Sequence, residues 1–196
     1  MDRRLRFSGV AAVVCVWTIL STAVVLAEFD LLGAYPLSHL GSRPESAVLF
    51  TLGLAVPAVL LTVFHGYVRS HYPVARGFSF VMLAGLAGQV VAAFVPIGGD
   101  AALHGIHTVS ALVLGASLPL LMWRFAAAQP GPTWRRLTYG LFWAEVVACI
   151  VGFALSARDV APVAEILPGA VFHVWVITVT IAGSIVGARR MTFRAL

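Results

Sequence analysis

The sequence predicts an all-α integral membrane bundle of about six transmembrane helices, and three observations carry that prediction. Of the 196 residues, 60% are hydrophobic and only 11% are charged, where soluble domains carry roughly 25% charge. A chain of this length cannot hide so much apolar surface in water, so lipid must be its solvent. Six separate apolar stretches each approach the roughly 20 residues that cross a bilayer, and none shows the alternation of a lipid-facing barrel strand. The length suits one bundle, so residues 1–196 form a single transmembrane domain.

The first stretch is Phe7–Leu26. Its basic start and the tripeptide Val25-Leu26-Ala27 resemble a signal peptide with a cleavage site. Its apolar core is longer than the usual 7–15 residues, so we read an uncleaved helix; cleavage would leave five. The remaining stretches are Ala47–Tyr67, Gly77–Val95, Leu103–Trp123, Leu137–Leu155 and Pro168–Val186. The longest loop, Glu28–Ser46, has nineteen residues with Pro36, Gly41 and Pro44, and a loop of that length is a candidate lid or functional element. Gln129-Pro130-Gly131-Pro132 is a turn-rich connection. Gly85 and Gly88 share a side of the third helix with Ala84 and Ala92, and Gly183-Ser184-Ile185-Val186-Gly187 is a GxxxG match in the sixth. Small residues let helices approach in lipid, within one bundle or between copies of a homo-oligomer.

Orientation follows from the arginines. All 13 basic residues are Arg, and the formal net charge is +5. Eleven of them fall before the first span, between spans two and three, between four and five, or after the sixth; only Arg43 and Arg158 fall on the other side. This bias places both termini in the cytoplasm and the chain in the cell membrane. The short clusters read as topology signals and contacts to membrane lipids, and not as a nucleic-acid surface. The acids run the opposite way: Glu28, Asp30, Glu45, Asp100, Asp159 and Glu165 map outside, Asp2 inside, and Glu145 within a span. Cys15 and Cys149 both sit in apolar spans and form no metal motif or disulfide.

Two loop signatures carry a resemblance. The segment Tyr35-Pro36-Leu37-Ser38-His39-Leu40-Gly41 leads toward Phe50, and Phe94-Val95-Pro96 precedes a Gly/Asp loop and His104-Gly105-Ile106-His107. Over roughly residues 10–190 the chain resembles the bacterial six-helix membrane family catalogued as domain of unknown function 998, itself broadly similar to autophagy-modulator-type membrane proteins. The resemblance implies a six-helix fold and equivalent roles for Ser38, Leu40, Gly41, Pro96 and His104, but no reaction. His39 departs from the family's pattern, which has an apolar or acidic residue there.

Polar residues at depth supply the candidate chemistry. Asp100, His104 and His107 are spaced i, i+4 and i+7, which stacks them on one face at the start of the fourth helix. Two imidazoles and a carboxylate are ligands for a divalent metal such as zinc, or an acid–base set; Asp100 is equally placed to cap the helix. His173 lies roughly 7–8 Å below the outer boundary at 1.5 Å per residue, a depth that His107 shares. Both could line one outward cavity, with His39 and Glu45 above it. Glu145 lies about 12 Å into the fifth helix, where an ionised carboxylate is expensive and a role as acid, relay or substrate contact arises. Thr180 and Ser117 are at its depth and are candidate partners. Gln89 is either interhelical glue or, with Ser38 and His39, a ligand contact. His65 and His71 read as interfacial, and Trp123, Trp134 and Trp143 as an aromatic belt. Haem is disfavoured because no histidines pair at matched depth in the inner leaflet. The chain lacks GxSxG, HExxH and P-loop motifs.

Three functions compete. The chain binds a lipid or other apolar ligand in a cavity open to the outer face; or it is an intramembrane enzyme acting on a lipid or isoprenoid by acid–base or metal-assisted chemistry; or it is a small transporter. The last is weakest, since no inverted repeat or broken helix pair is visible.

Overall fold

A computed structural model describes residues 3–95, 97 and 100–192, with side chains from Arg4 to Ala182 among them. A short 3-10 turn, Arg3–Arg6, leads into six helices: α1 Phe7–Leu26, α2 Ala47–His71, α3 Phe78–Phe94, α4 Ala101–Ala128, α5 Pro132–Ser156 and α6 Ala161–Thr192. A second 3-10 turn, Leu37–Ser42, lies in the long loop between α1 and α2. The described residues are otherwise helix, turn or irregular chain, as the apolar runs require. Five helices are long and apolar enough to cross a membrane, and α3 is the shorter apolar one. At 17 residues it is about 26 Å long, near the lower limit for a span.

The helices pack in chain order, each against the next, and α6 returns to α1 to close the ring. Successive helices are antiparallel, so the ends of α2, α4 and α6 and the starts of α1, α3 and α5 share one pole. Arg4, Arg6, Arg69, Arg76, Arg124, Arg135 and Arg136 belong to this arginine pole, which holds no Asp or Glu among the described residues. Glu28, Asp30, Glu45, Asp100, Asp159 and Glu165 belong to the far pole.

The helix ends explain themselves locally. Gly77 before α3 and Gly131 before α5 both take φ +84, a left-handed backbone that disfavours residues with a Cβ. Pro132 follows at the first position of α5, where its missing N–H costs nothing. The sequence expectation placed the start of the sixth helix at Pro168, but α6 begins at Ala161 and runs through that proline. Hydropathy marks where apolar residues begin, whereas a helix begins where its hydrogen bonds do. Pro168 removes only the N–H that Ala164 would receive. That carbonyl faces Gly152 of α5: a Cβ built on Gly152 would come within 2.9 Å of it. Glycine there lets the two helices close on the freed carbonyl.

Two clusters fill the ring. The larger is aromatic and lies toward the arginine pole: Phe64, Tyr67, Phe78, Phe125 and Trp175 are all buried, and the Trp175 ring stands edge-on to Phe125 at 5.3 Å. The smaller joins Ala23, Ala27, Phe29, Leu37, Leu40 and Phe50 at the far pole. Close α3–α4 packing uses the small face read from the sequence. Gly85 lies against the Ser117 hydroxyl, and a Cβ on Gly88 would meet the Ser110 carbonyl at 2.7 Å. The side chains of the Gly183–Gly187 motif, and Pro96, lie outside the described residues.

Candidate functional site

At the far pole the long loop folds down over the bundle. Leu40 is fully buried, and Gly41 packs so closely on the Phe50 ring that a Cβ would come within 2.8 Å of it. The Ser46 hydroxyl donates to the Leu40 carbonyl at 2.8 Å, and the Arg43 guanidinium to the Ala27 carbonyl at 2.9 Å. Ser38 ties the loop to α6, as does the Gly33 carbonyl, which accepts from the Ala161 N–H at 3.2 Å. Its N–H donates to Glu165 Oε2 at 3.1 Å and its hydroxyl to Oε1 at 3.3 Å. Glu165 is the functional candidate that sequence reasoning missed. Starting the sixth span at Pro168 left this acid in a loop, whereas in α6 it sits within the first two turns, under the cap.

The histidines divide. His39 lies on the Tyr35 ring, with centroids 5.0 Å apart. Burial is the first cause that lowers its pKa from the usual histidine value; the Arg43 charge and then His104 and His107 add to it. The His107 ring is buried, and its Nδ1 hydrogen-bonds the Val95 carbonyl at 2.6 Å. As that carbonyl only accepts, Nδ1 carries the proton, and Nε2 is left as the other ring nitrogen. His104 is exposed. Asp100 caps α4, with one carboxylate oxygen accepting from the Ala102 and Leu103 N–H groups at 2.9 Å each. No three His, Cys, Asp or Glu side chains among the described residues are arranged to hold a metal ion.

His173 belongs elsewhere. It stands edge-on to Trp17 of α1, with centroids 5.8 Å apart, and its buried Nδ1 has no hydrogen-bond partner. The common cavity expected for His107 and His173 is thus divided: His107 turns to the end of α3, and His173 to α1.

The second polar set lies inside the bundle. Thr138, Glu145, Ala148 and Gly152 are the buried residues of α5, spaced three, four and seven apart on one helical face. Gly152 fixes that face against α6. Glu145 is fully buried. The Cys149 thiol approaches Oε1 at 3.8 Å, whereas Oε2 has no partner. The partners expected from depth are otherwise engaged: Ser117 donates to the Leu114 carbonyl, and Thr180 to those of Val176 and Arg6. Equal depth does not make two side chains meet when they point to different neighbours around the ring.

Antiparallel register puts α6 polar atoms near the level of Glu145. Seven residues back from Gly152 is Glu145, and seven on from Ala164 is Val171. His173 and Trp175 then lie about 3 and 6 Å further along the axis. Trp175 is fully buried, and its indole N–H, like His173 Nδ1, lacks a partner. An acceptor or donor left bare in an apolar interior costs roughly 1–3 kcal/mol. Glu145 Oε2, His173 Nδ1 and Trp175 Nε1 are three such atoms on α5 and α6, with His173 turned to Trp17 and Trp175 set among Phe64, Phe125 and Phe172.

Gln89 is buried in α3 and its amide donates to the Leu54 carbonyl of α2 at 2.8 Å. Pro57 cannot donate to Gly53 and disturbs α2 at this level. Gln89 therefore ties the two helices where α2 is weakest, as interhelical glue does.

The bundle is unevenly covered. From Ala101 to Ala116, α4 buries only His107, and Leu103, Ile106, Val109, Leu112 and Val113 are exposed. Its inward contacts in this half run to α3, through Gly88 and the Val95 carbonyl. Near their hairpin α4 meets α5: Phe125 stands edge-on to Trp134, and Trp134 donates to Gln129 at 3.1 Å. On α5, Val147, Ile150 and Phe153 are likewise exposed.

No family model, curated protein or solved structure matches this chain.

Proposed function

We propose that this multipass membrane protein holds a lipid or similar apolar ligand that carries a hydrogen-bonding group, taken up from the far-pole side between α4 and the α5–α6 pair. One observation carries the reading: Glu145 is fully buried with Oε2 unpartnered. A carboxyl group at that depth needs a partner, and polar groups in spans are functional by default. The unpartnered Trp175 N–H and the uncovered outer half of α4 support it. The arginine distribution further supports placing both termini in the cytoplasm, so that the far pole faces outward.

The test is extraction. The full chain, purified in mild detergent, is stripped and its lipids identified by mass spectrometry beside Glu145→Leu. The reading predicts one enriched apolar species at near-stoichiometric amount, depleted at least fivefold in the variant. Bulk membrane lipid in both samples would overturn it. Cysteine labelling in a background lacking Cys15 and Cys149 tests orientation: position 100 should react from outside, and position 131 only after permeabilisation.

A second reading has its own observation. Glu145 carries a thiol neighbour, Cys149, and lies midway along α5, where an intramembrane general acid would sit. Conversion of the co-purified lipid on incubation, absent in Glu145→Gln, would favour an enzyme over a binding protein.

A further inference from the structure

Pro57, Pro119 and Pro168 stand inside α2, α4 and α6. Each lacks the N–H that would bond the carbonyl four residues earlier, which frees those of Gly53, Gly115 and Ala164. Two of these positions are covered by a neighbouring helix. A Cβ on Gly53 would meet the Leu20 side chain at 2.7 Å, and Gly152 presses on Ala164. Gly115 differs. It is half-buried, yet a Cβ built on it meets nothing within 4 Å. Its freed carbonyl borders open space.

We propose that this carbonyl and Glu145 hold one hydroxyl group between them, so that the ligand is a neutral lipid alcohol; the inference rests on the apolar-ligand reading above. The hairpin sets the level. Gly115 lies 13 residues before the end of α4 at Ala128, and Glu145 lies 13 residues after the start of α5 at Pro132. Antiparallel neighbours so placed stand at one height, about 20 Å from the hairpin. Glu145 is fully buried, and its Oε2 has no partner. The buried face of α5 ends close by: Gly152 packs on α6, whereas the next residue, Phe153, is 82% exposed. Cys149, one turn on from Glu145, is half-buried. On α4, Leu112 and Val113 are exposed just beyond Gly115, so lipid has access at this height.

The two groups select the head of the ligand. The Cys149 thiol approaches Oε1 at 3.8 Å, so in the neutral carboxyl group Oε2 carries the proton and donates it. The Gly115 carbonyl only accepts. One hydroxyl satisfies both, accepting from Oε2 and donating to the carbonyl. An ether oxygen or a ketone accepts but leaves the carbonyl bare. A phosphate or carboxylate head would carry charge into the middle of the bilayer, where desolvation is far costlier than for a hydroxyl. The class is therefore an alcohol on a hydrocarbon chain or ring system.

Cys149 can report occupancy. The full chain carrying Cys15→Ala, in phosphatidylcholine nanodiscs, is labelled with N-ethylmaleimide with and without 1-hexadecanol, hexadecyl methyl ether or hexadecane at equal mole fraction. Protection is the ratio of the two labelling rates within each variant. Hexadecanol should slow labelling about fivefold or more, and the ether and the alkane less than about twofold. Pro119→Ala returns an N–H to the Gly115 carbonyl and favours helix, so protection by hexadecanol should fall to the level of the ether. Glu145→Leu should lower it equally from the facing helix, and serves if the first variant fails to fold. Equal protection by alcohol and ether, no protection by the alcohol, or full protection in either folded variant overturns the proposal. The broader reading is judged apart from it: a co-purified apolar lipid that lacks a hydroxyl and is lost in Glu145→Leu would uphold that reading and overturn this one.

Discussion

Ser38 and Glu165 are joined by two hydrogen bonds across 127 residues of chain, a side-chain tie between the far-pole loop and α6 that stands beside the Ala161 N–H to Gly33 carbonyl bond. The backbone donor remains in Ser38→Ala, so that variant should lose little, whereas Glu165→Ala removes both acceptors. Hydrogen bonds of this kind contribute roughly 0.5–1.5 kcal/mol each. Limited proteolysis should therefore cleave the Glu28–Ser46 loop many times faster in Glu165→Ala than in wild type, with Ser38→Ala between them. Equal rates in all three would show that the clasp does not hold the loop.

Glu145 separates stability from function. Replacement by leucine fills similar space and removes an unpartnered buried oxygen, which costs roughly 1–3 kcal/mol where it stands. The thermal midpoint of Glu145→Leu in detergent should be equal to or above wild type, even as ligand retention falls. A sharp fall in midpoint would mean that Oε2 has a structural partner.

Glycine positions in the same helix give opposite outcomes. Gly152→Ala sets a methyl against the Ala164 backbone, which cannot step aside, and should cost about 1–3 kcal/mol. At Gly140 an added Cβ meets nothing within 4 Å, so Gly140→Ala should be neutral or stabilising by up to about 1 kcal/mol through helix propensity. Paired thermal unfolding of the two variants reads the contrast directly.

The cap should loosen in acid. Burial and the nearby Arg43, His104 and His107 charges lower the His39 pKa in the folded cap, so the open state binds the proton more readily. Closure is then fully favoured above the ordinary histidine value of about 6.5 and weakens as pH falls below it toward the lowered value. Proteolysis of the loop should accelerate between pH 7.5 and 5.5, and less so in His39→Asn. An identical pH profile in that variant would assign the effect to other groups.

Much of the frame was legible in the residues. Phe7–Leu26 is the first helix, residue for residue, because an apolar run between polar flanks has only one way to satisfy its backbone in lipid. Asp100 was readable as a cap, and Gly85 and Gly88 as a packing face, because both depend on neighbours a few residues away. Ser38 is clasped, Leu40 buried and Gly41 pressed on Phe50, and the clasping partner, Glu165, was not legible in the residues because it lies 127 positions away. His173 turns to Trp17 and Glu145 meets Cys149, not Ser117 or Thr180. Length, hydropathy and capping act along the chain and survive in a one-dimensional string. Which side chains meet depends on the order of helices around the ring and on each helix's rotation, where a step of one residue turns a side chain by about 100°. The sequence by itself determined the spans and where the charges gather; only the tertiary structure decided the partners, because those contacts are made between helices.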